Sequence, residues 1–291
     1  MEKEKSRMMD FRTEVKVGKG AIQLQPSHRM LFVGSCFADN LGKRFVENRF
    51  RAVVNPYGVM YNPTSIFHSV ERYLQGEAFT HGENLPKEER RPDVAFFTLG
   101  TNHVYVLKET GEVVDNCQKR PSHLFEEKEL TIGECMVELS KAVWALTEVG
   151  IQRIIITVSP IRYAKYGFHG SQLSKATLLL AADLLCQRFP ELVSYFPAYE
   201  IVNDELRDYR FYKEDMLHPS EQAVEYIWQK FRGAYFDKTA EQFLAEWQPI
   251  KEALAHKPFN PESEETKRFQ AETEEKKKAF EEKYHLSADK L

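Results

Sequence analysis

Two adjacent candidates for a nucleophile, Ser35 and Cys36, stand directly after an apolar run in the stretch MLFVGSCFADN. A hydroxyl or thiol at a strand-to-helix turn is held clear of the sheet, beside a helix N-terminus that favours a thiolate or a developing oxyanion. The plain structural account is that Gly34 turns the chain, Ser35 caps a helix and Cys36 packs as a small apolar residue. Far along the chain, DMLHPSEQ sets Asp215 and His218 three residues apart, ahead of a helix that follows a proline. That spacing lets the carboxylate orient the imidazole for proton transfer, although a surface histidine near a helix cap has the same look. Two loops between these sites add possible oxyanion donors. In NPYGVMYNP, Gly58 can bring a backbone N–H close to a substrate oxygen, and in TLGTN the Asn102 amide follows a buried strand. Glycine and asparagine are also ordinary turn formers. The order is more telling than any one member: nucleophile, loop glycine, Gly-x-Asn and Asp-x-x-His are what an acyl-transfer site on an open sheet requires.

Such a site needs strand ends to carry it. Strand-like and helix-like stretches alternate along most of the chain, which argues an α/β layer architecture around a central parallel sheet. MLFVG, RAVVN, DVAFFTLG, RIIITVSP and VSYFP read as strands, and VYVLKETGEVV as a hairpin inserted after the third of them. Helical periodicity runs through ADNLGKRFVENRF, SKATLLLAADLLCQRF and PSEQAVEYIWQKF. NPTSIFHSVERYLQG offers Asn62 as N-cap with Pro63 behind it, and TIGECMVELSKAVWALTEVG opens on the capping box Thr131 and Glu134. From about residue 239 the composition becomes highly charged, and ESEETKRFQAETEEKKKAFEEKYH reads as a solvated helix lying on the domain. The expected organisation is an α/β domain over 10–238, with a charged, largely helical extension over 239–291 packed on it or trailing from it.

At 291 residues and 42% hydrophobic content, the chain can bury one large core. The 40 basic residues are interspersed with 44 acidic ones for a net charge of −4, which gives no field to gather nucleic acid. No apolar run has the length of a signal peptide core or a membrane span, so a cytoplasmic location is expected. Cys36, Cys117, Cys135 and Cys186 are scattered without a CxxC pair or a zinc-type cluster, so no metal, cofactor or disulfide framework is expected.

GSCFADN, NPYGVMYNP, TLGTN, NCQKRP, TVSPIR, YFPAYEI, DELRDYRFY and DMLHPSEQAVEYIW, in this order, resemble the GSCFA-domain family of bacterial proteins, a branch of the SGNH or GDSL hydrolase superfamily. The resemblance implies a flavodoxin-like three-layer α/β/α sandwich with an esterase or acyltransferase site. It implies His218 as general base, Asp215 as its orienter and Asn102 as an oxyanion donor. Gly58 would supply the backbone donor, with the backbone of Tyr61 or Asn62 as alternatives, and His103 stands where many relatives carry Asp. Aligned without gaps on the Gly-Asp-Ser-Leu block, GSCFADNLGKRF puts Ser35 in the Asp position and Cys36 in that of the nucleophilic serine. A shift by one residue makes Ser35 the nucleophile but moves Gly34 off the glycine position. Both registers stay open at this level, with Cys36 preferred.

The expected activity is acyl transfer through a covalent intermediate formed on a small-molecule, glycan or lipid acyl ester or thioester. Arg162, Lys165 and His169 follow a strand at the ligand edge and are candidates to read an anionic or sugar headgroup, as are Arg120 and His123; solvated loop charges are the ordinary account. Two rival readings are a non-catalytic ligand-binding protein of the same fold and an interaction module built around the charged C-terminal segment. Neither the acyl group nor the oligomeric state is fixed by the sequence.

Overall fold

Alternation along three apolar runs divides the interior into two cores. Met30 and Phe32, Val94 and Phe96, and Ile155 face one side of a sheet, while Leu31 and Val33, Ala95 and Phe97, and Ile154 and Ile156 face the other. The structure, a computed structural model, describes residues 12–286 apart from 83, 116, 118 and 119. Its main sheet has five parallel strands, β1 (Met30–Gly34), β2 (Ala52–Val54), β3 (Val94–Leu99), β7 (Arg153–Val158) and β8 (Val193–Tyr195), in the order β2-β1-β3-β7-β8. Gly34 lies opposite Thr98, and Thr98 opposite Thr157, so the C-terminal ends of the three central strands form one edge.

Helices cover both faces, giving the expected three-layer α/β/α arrangement. On the first face α1 (Cys36–Glu47) and α6 (Glu221–Tyr235) enclose an aromatic core in which Phe32 stacks on Phe96 at 4.0 Å and Phe45 meets Trp228 edge-on at 5.0 Å. On the second face α2 (Pro63–Gln75), α3 (Ile132–Glu148) and α4 (Gly167–Arg188) bury a core dominated by aliphatic side chains such as Val70, Leu139, Leu146 and Leu185. The caps are those the sequence predicts. Asn62 accepts from Ser65 N–H at 2.9 Å, and Thr131 and Glu134 exchange the two bonds of the capping box.

A three-stranded antiparallel sheet stands beyond the end of β3: β4 (His103–Leu107) pairs with β5 (Val113–Val114), as the hairpin reading expects, and with β6 (Phe125–Glu129). After β8 the chain makes the short α5 (Ala198–Glu200), which runs into a π-helical turn over Ile201–Leu206. The charged C-terminal region forms α7 (Lys238–Ala255) and α8 (Glu264–Lys283). The first buries Phe243, Trp247 and Ile250 in the aromatic core, its Trp247 Nε1–H donating to Glu47 O at 2.9 Å, and the second packs Phe280 against Phe243. Among the described residues no helix is long and apolar enough to cross a membrane.

Candidate active site

The corner after β1 separates the roles of Ser35 and Cys36. Gly34 has φ +147°, and a Cβ on it would lie 2.3 Å from Thr98 O, so only glycine fits where β1 runs against β3. Ser35 is wholly buried: its N–H donates to Thr98 O at 3.0 Å, its Oγ accepts from Phe37 N–H as the cap of α1, and Oγ also bonds Thr98 Oγ1 at 3.1 Å. Cys36 is the first residue of α1 and partly exposed, with Sγ 3.6 Å from the Tyr61 hydroxyl. Its own N–H belongs to the first turn, where no carbonyl one turn back exists to receive it.

The loop after β2 is pinned to this corner. Asn55, at φ +41°, accepts from Gly34 N–H through Oδ1 at 2.9 Å and donates through Nδ2 to Asp39 at 2.5 Å, while Met60 N–H donates to Gly34 O at 2.8 Å. Burial pushes the Asp39 carboxyl upward. Tyr61 O accepts from both Gly100 and Thr101 N–H at 2.8 Å. A Cβ on Gly100 would fall 2.5 Å from the Tyr163 hydroxyl and 2.9 Å from Tyr61 O, so this glycine is what allows the two tyrosines to close over the strand end. Their rings meet edge-on at 6.1 Å. Burial, and then the bond to Cys36, push the Tyr61 phenol up to about 12. Beneath them lies Lys175, wholly within the protein, donating from Nζ to Gly100 O and to Ser159 O at 2.7 Å each, 5.0 Å from the Tyr163 ring centre. Desolvation brings this ammonium down to about 7.

The imidazole stands on an exposed loop. Lys213 N–H donates to His218 O and Ser220 N–H to Phe211 O, closing a short ring of chain immediately before α6, which Ser220 caps. Asp215 accepts from the backbone N–H groups of Leu217 and His218 through Oδ1, and its Oδ2 lies 2.6 Å from His218 Nδ1. These bonds, led by the His218 amide, hold the Asp215 carboxyl down to about 2. An Nδ1–H given to the carboxylate leaves Nε2 as the free base. Arg162 ties the loop to the end of β7: its N–H donates to Leu217 O and its guanidinium to Met216 O, both at 3.0 Å. Its chain neighbour Tyr163 meets Tyr61, so the segment after β7 touches both the loop that carries Tyr61 and the loop that carries His218. No hydrogen bond joins His218 to Cys36 among the described residues.

Other sequence candidates fall elsewhere. Gly58, at φ +88°, spends its N–H on Asn55 O within a turn and does not offer it to the cleft. Asn102 is buried, its Nδ2 donating to Leu130 O at 2.8 Å and its Oδ1 without a partner among the described residues, so it latches β4 to the start of α3. His103 stacks on Tyr166 at 3.6 Å, and Lys165 bonds the Tyr105 hydroxyl and both Glu127 oxygens. Burial lowers His103, and Glu127 with Tyr105 hold Lys165 high. His169 is exposed on α4. Arg120 lies over Phe125, and His123 gives its carbonyl to Lys108, both beside the small sheet. Arg162 has no carboxylate partner among the described residues; its guanidinium lies 4.5 Å from the exposed Phe168 ring. A cavity of about 780 Å³ runs along the free edge of β2 by Arg51, Val53 and Phe79, and neither Cys36 nor His218 lines it. Sequence reasoning passed over Lys175 and the Tyr61 side chain. The first had a signal, since Lys175 falls in the buried register of α4 between Ser171 and Leu178.

The family model described as the GSCFA family matches residues 29–91 and 83–231, most of the chain. The chain belongs to the GSCFA family. The GSCFA match spans Cys36, Tyr61, Lys175, Asp215 and His218, and a second model, the C-terminal domain of GSCFA domain proteins, matches residues 247–290. Among solved structures, an acetylxylan esterase from Geobacillus stearothermophilus, in a catalytic mutant form, is 12% identical with a TM-score of 0.45, covering 77% of this chain and 98% of its own. A GDSL-like lipase from Bacteroides thetaiotaomicron is 10% identical at 0.44, covering 71% and 87%. A carbohydrate esterase family 3 protein from Talaromyces cellulolyticus is 10% identical at 0.40, covering 75% and 99%. No curated protein matches this GSCFA chain.

Proposed function

We propose that the protein is an ester- or thioester-cleaving acyl enzyme with Cys36 as nucleophile, His218 as general base and Asp215 as its orienter. One observation carries the reading: Ser35 is consumed as a buried helix cap, whereas Cys36 stands partly exposed at the first turn of α1. His218 Nε2 takes the thiol proton as Sγ attacks the acyl carbonyl, the new C–S bond forms and the carbonyl electron pair moves to oxygen. Collapse of the tetrahedral adduct expels the alcohol or thiol, which receives the proton from His218. A thioester remains on Cys36, and water, an alcohol or an amine then takes the acyl group. The Cys36 N–H at the helix start is one oxyanion donor. The substrate class that fits an open sheet edge is a small acyl ester, free or carried on a glycan or lipid.

The rival, a cleft that only binds a ligand, draws support from the missing His218–Cys36 hydrogen bond, although such bonds often tighten only with substrate. Intact mass spectrometry after brief exposure to p-nitrophenyl acetate separates the two. Acyl enzyme formation predicts one acetyl adduct on the wild type, retained in Ser35→Ala and absent in Cys36→Ala. An adduct that survives Cys36→Ala, or none on the wild type, refutes the thiol assignment.

A further inference from the structure

The oxyanion donors that the sequence motifs promise are spent elsewhere. The Asn102 amide is engaged with Leu130 O in a buried latch, and the Gly58 N–H closes a turn on Asn55. With Asn102 only 3% exposed and one of its two Nδ2 hydrogens given to Leu130 O, an acyl carbon bonded to Cys36 has the helix-start amide and no exposed side-chain donor from the Gly-x-Asn motif. The Tyr61 hydroxyl is in reach, 3.6 Å from Sγ on a residue 40% exposed. Resting on the acyl-enzyme reading, we propose that Tyr61 is the side-chain oxyanion donor of this site, taking the place of Asn102.

Three observations carry the argument. First, reach: an oxygen on a carbon attached to Sγ lies within about 3 Å of the sulfur, so a hydroxyl 3.6 Å from Sγ comes within donor distance of it after a small rotation. Second, protonation: burial pushes the phenol up, so the hydroxyl keeps its proton throughout the neutral range and can donate it. Third, fixation: the Tyr61 carbonyl is held by two amides, its ring packs against Tyr163, and Gly100 has no side chain to push either ring away. A donor aimed in advance is what electrostatic stabilisation of a tetrahedral adduct requires. In the resting protein the same hydroxyl lies in hydrogen-bond contact with the sulfur; during attack it donates to the carbonyl oxygen as negative charge develops there. Tyr61 gives up no proton, and the thiol proton still passes to His218.

The test separates oxyanion stabilisation from thiol activation by using two reagents on one sulfur. Acetylation by p-nitrophenyl acetate passes through an oxyanion, whereas alkylation by iodoacetamide is a displacement at saturated carbon and does not. Tyr61→Phe removes only the hydroxyl and should slow acetylation of Cys36 about 10²-fold while leaving alkylation within about twofold. Tyr163→Phe, which deletes a neighbouring hydroxyl that bonds no protein atom among the described residues, should leave both rates within about twofold. Equal slowing of both reactions in Tyr61→Phe would overturn the proposal by making Tyr61 a group that tunes the thiol. Unchanged acetylation, or a loss that follows Tyr163 instead, would also overturn it. No acetylation of the wild type at all would fail the acyl-enzyme reading itself and this inference with it, a result distinct from either.

Discussion

The thiol side of the site and the imidazole side are built in opposite ways. Around Cys36, Gly34, Ser35, Asn55 and Gly100 lie in close backbone contact, their polar groups paired and a buried lysine beneath them. Around His218 the chain is an exposed loop held by its own Asp215, two backbone bonds and the reach of Arg162. The first region fixes geometry at the cost of tolerance. The second leaves His218 partly exposed on a loop with few ties to the core, so sequence changes there should leave the fold untouched.

The contrast is most exposed to refutation at His218. His218→Ala should lower turnover by roughly 10³-fold or more, while stability in urea stays within about 0.5 kcal/mol of the wild type. A large loss of stability would erase the distinction between the two sides. Gly34→Ala tests the other side. Its methyl would enter the space of Thr98 O and Oγ1, at a φ that side chains avoid, so a loss of about 3 kcal/mol or outright failure to fold is expected in a denaturant titration.

A pH series sharpens the picture of the floor. Lys175 has its ammonium pulled below the free value by burial, so between pH 7 and about 10 the unfolded chain binds more protons than the native one. Stability of the wild type relative to Lys175→Met should therefore rise with pH through that window, by up to about 1.4 kcal/mol per unit, and flatten above it. Urea midpoints at several pH values measure it. A difference that is flat or falls with pH would mean that Lys175 stays charged in the fold.

The layers were legible because β1, β3 and β7 alternate between two cores and because the caps at Asn62 and Thr131 are local signals. Strand β6 was not read, since FEEKE is charged and earns its place only by pairing with β4. Helix α4 begins at Gly167, ahead of its apolar stretch, in a polar first turn that periodicity does not mark. The boundary drawn at residue 239 falls at the start of α7, whose Phe243 and Trp247 fill the same core as α1. Contacts between residues near in sequence were readable, as with Asp215 and His218. The Asn102 amide goes to Leu130 and the Lys175 ammonium to two strand ends, partners distant in sequence that no spacing announces. The choice between Ser35 and Cys36 stayed open for a similar reason, because it depends on Thr98 across the sheet.

That the cap of α1 and the partly exposed thiol beside it are separate residues has an evolutionary meaning. Position 35 answers to the helix and to Thr98 across the sheet, while the side chain at position 36 caps nothing and is partly exposed. A lineage can therefore exchange sulfur for oxygen at residue 36 without renegotiating the corner that holds it. At this position a Cys36→Ser exchange is a one-codon step on a scaffold that stays put.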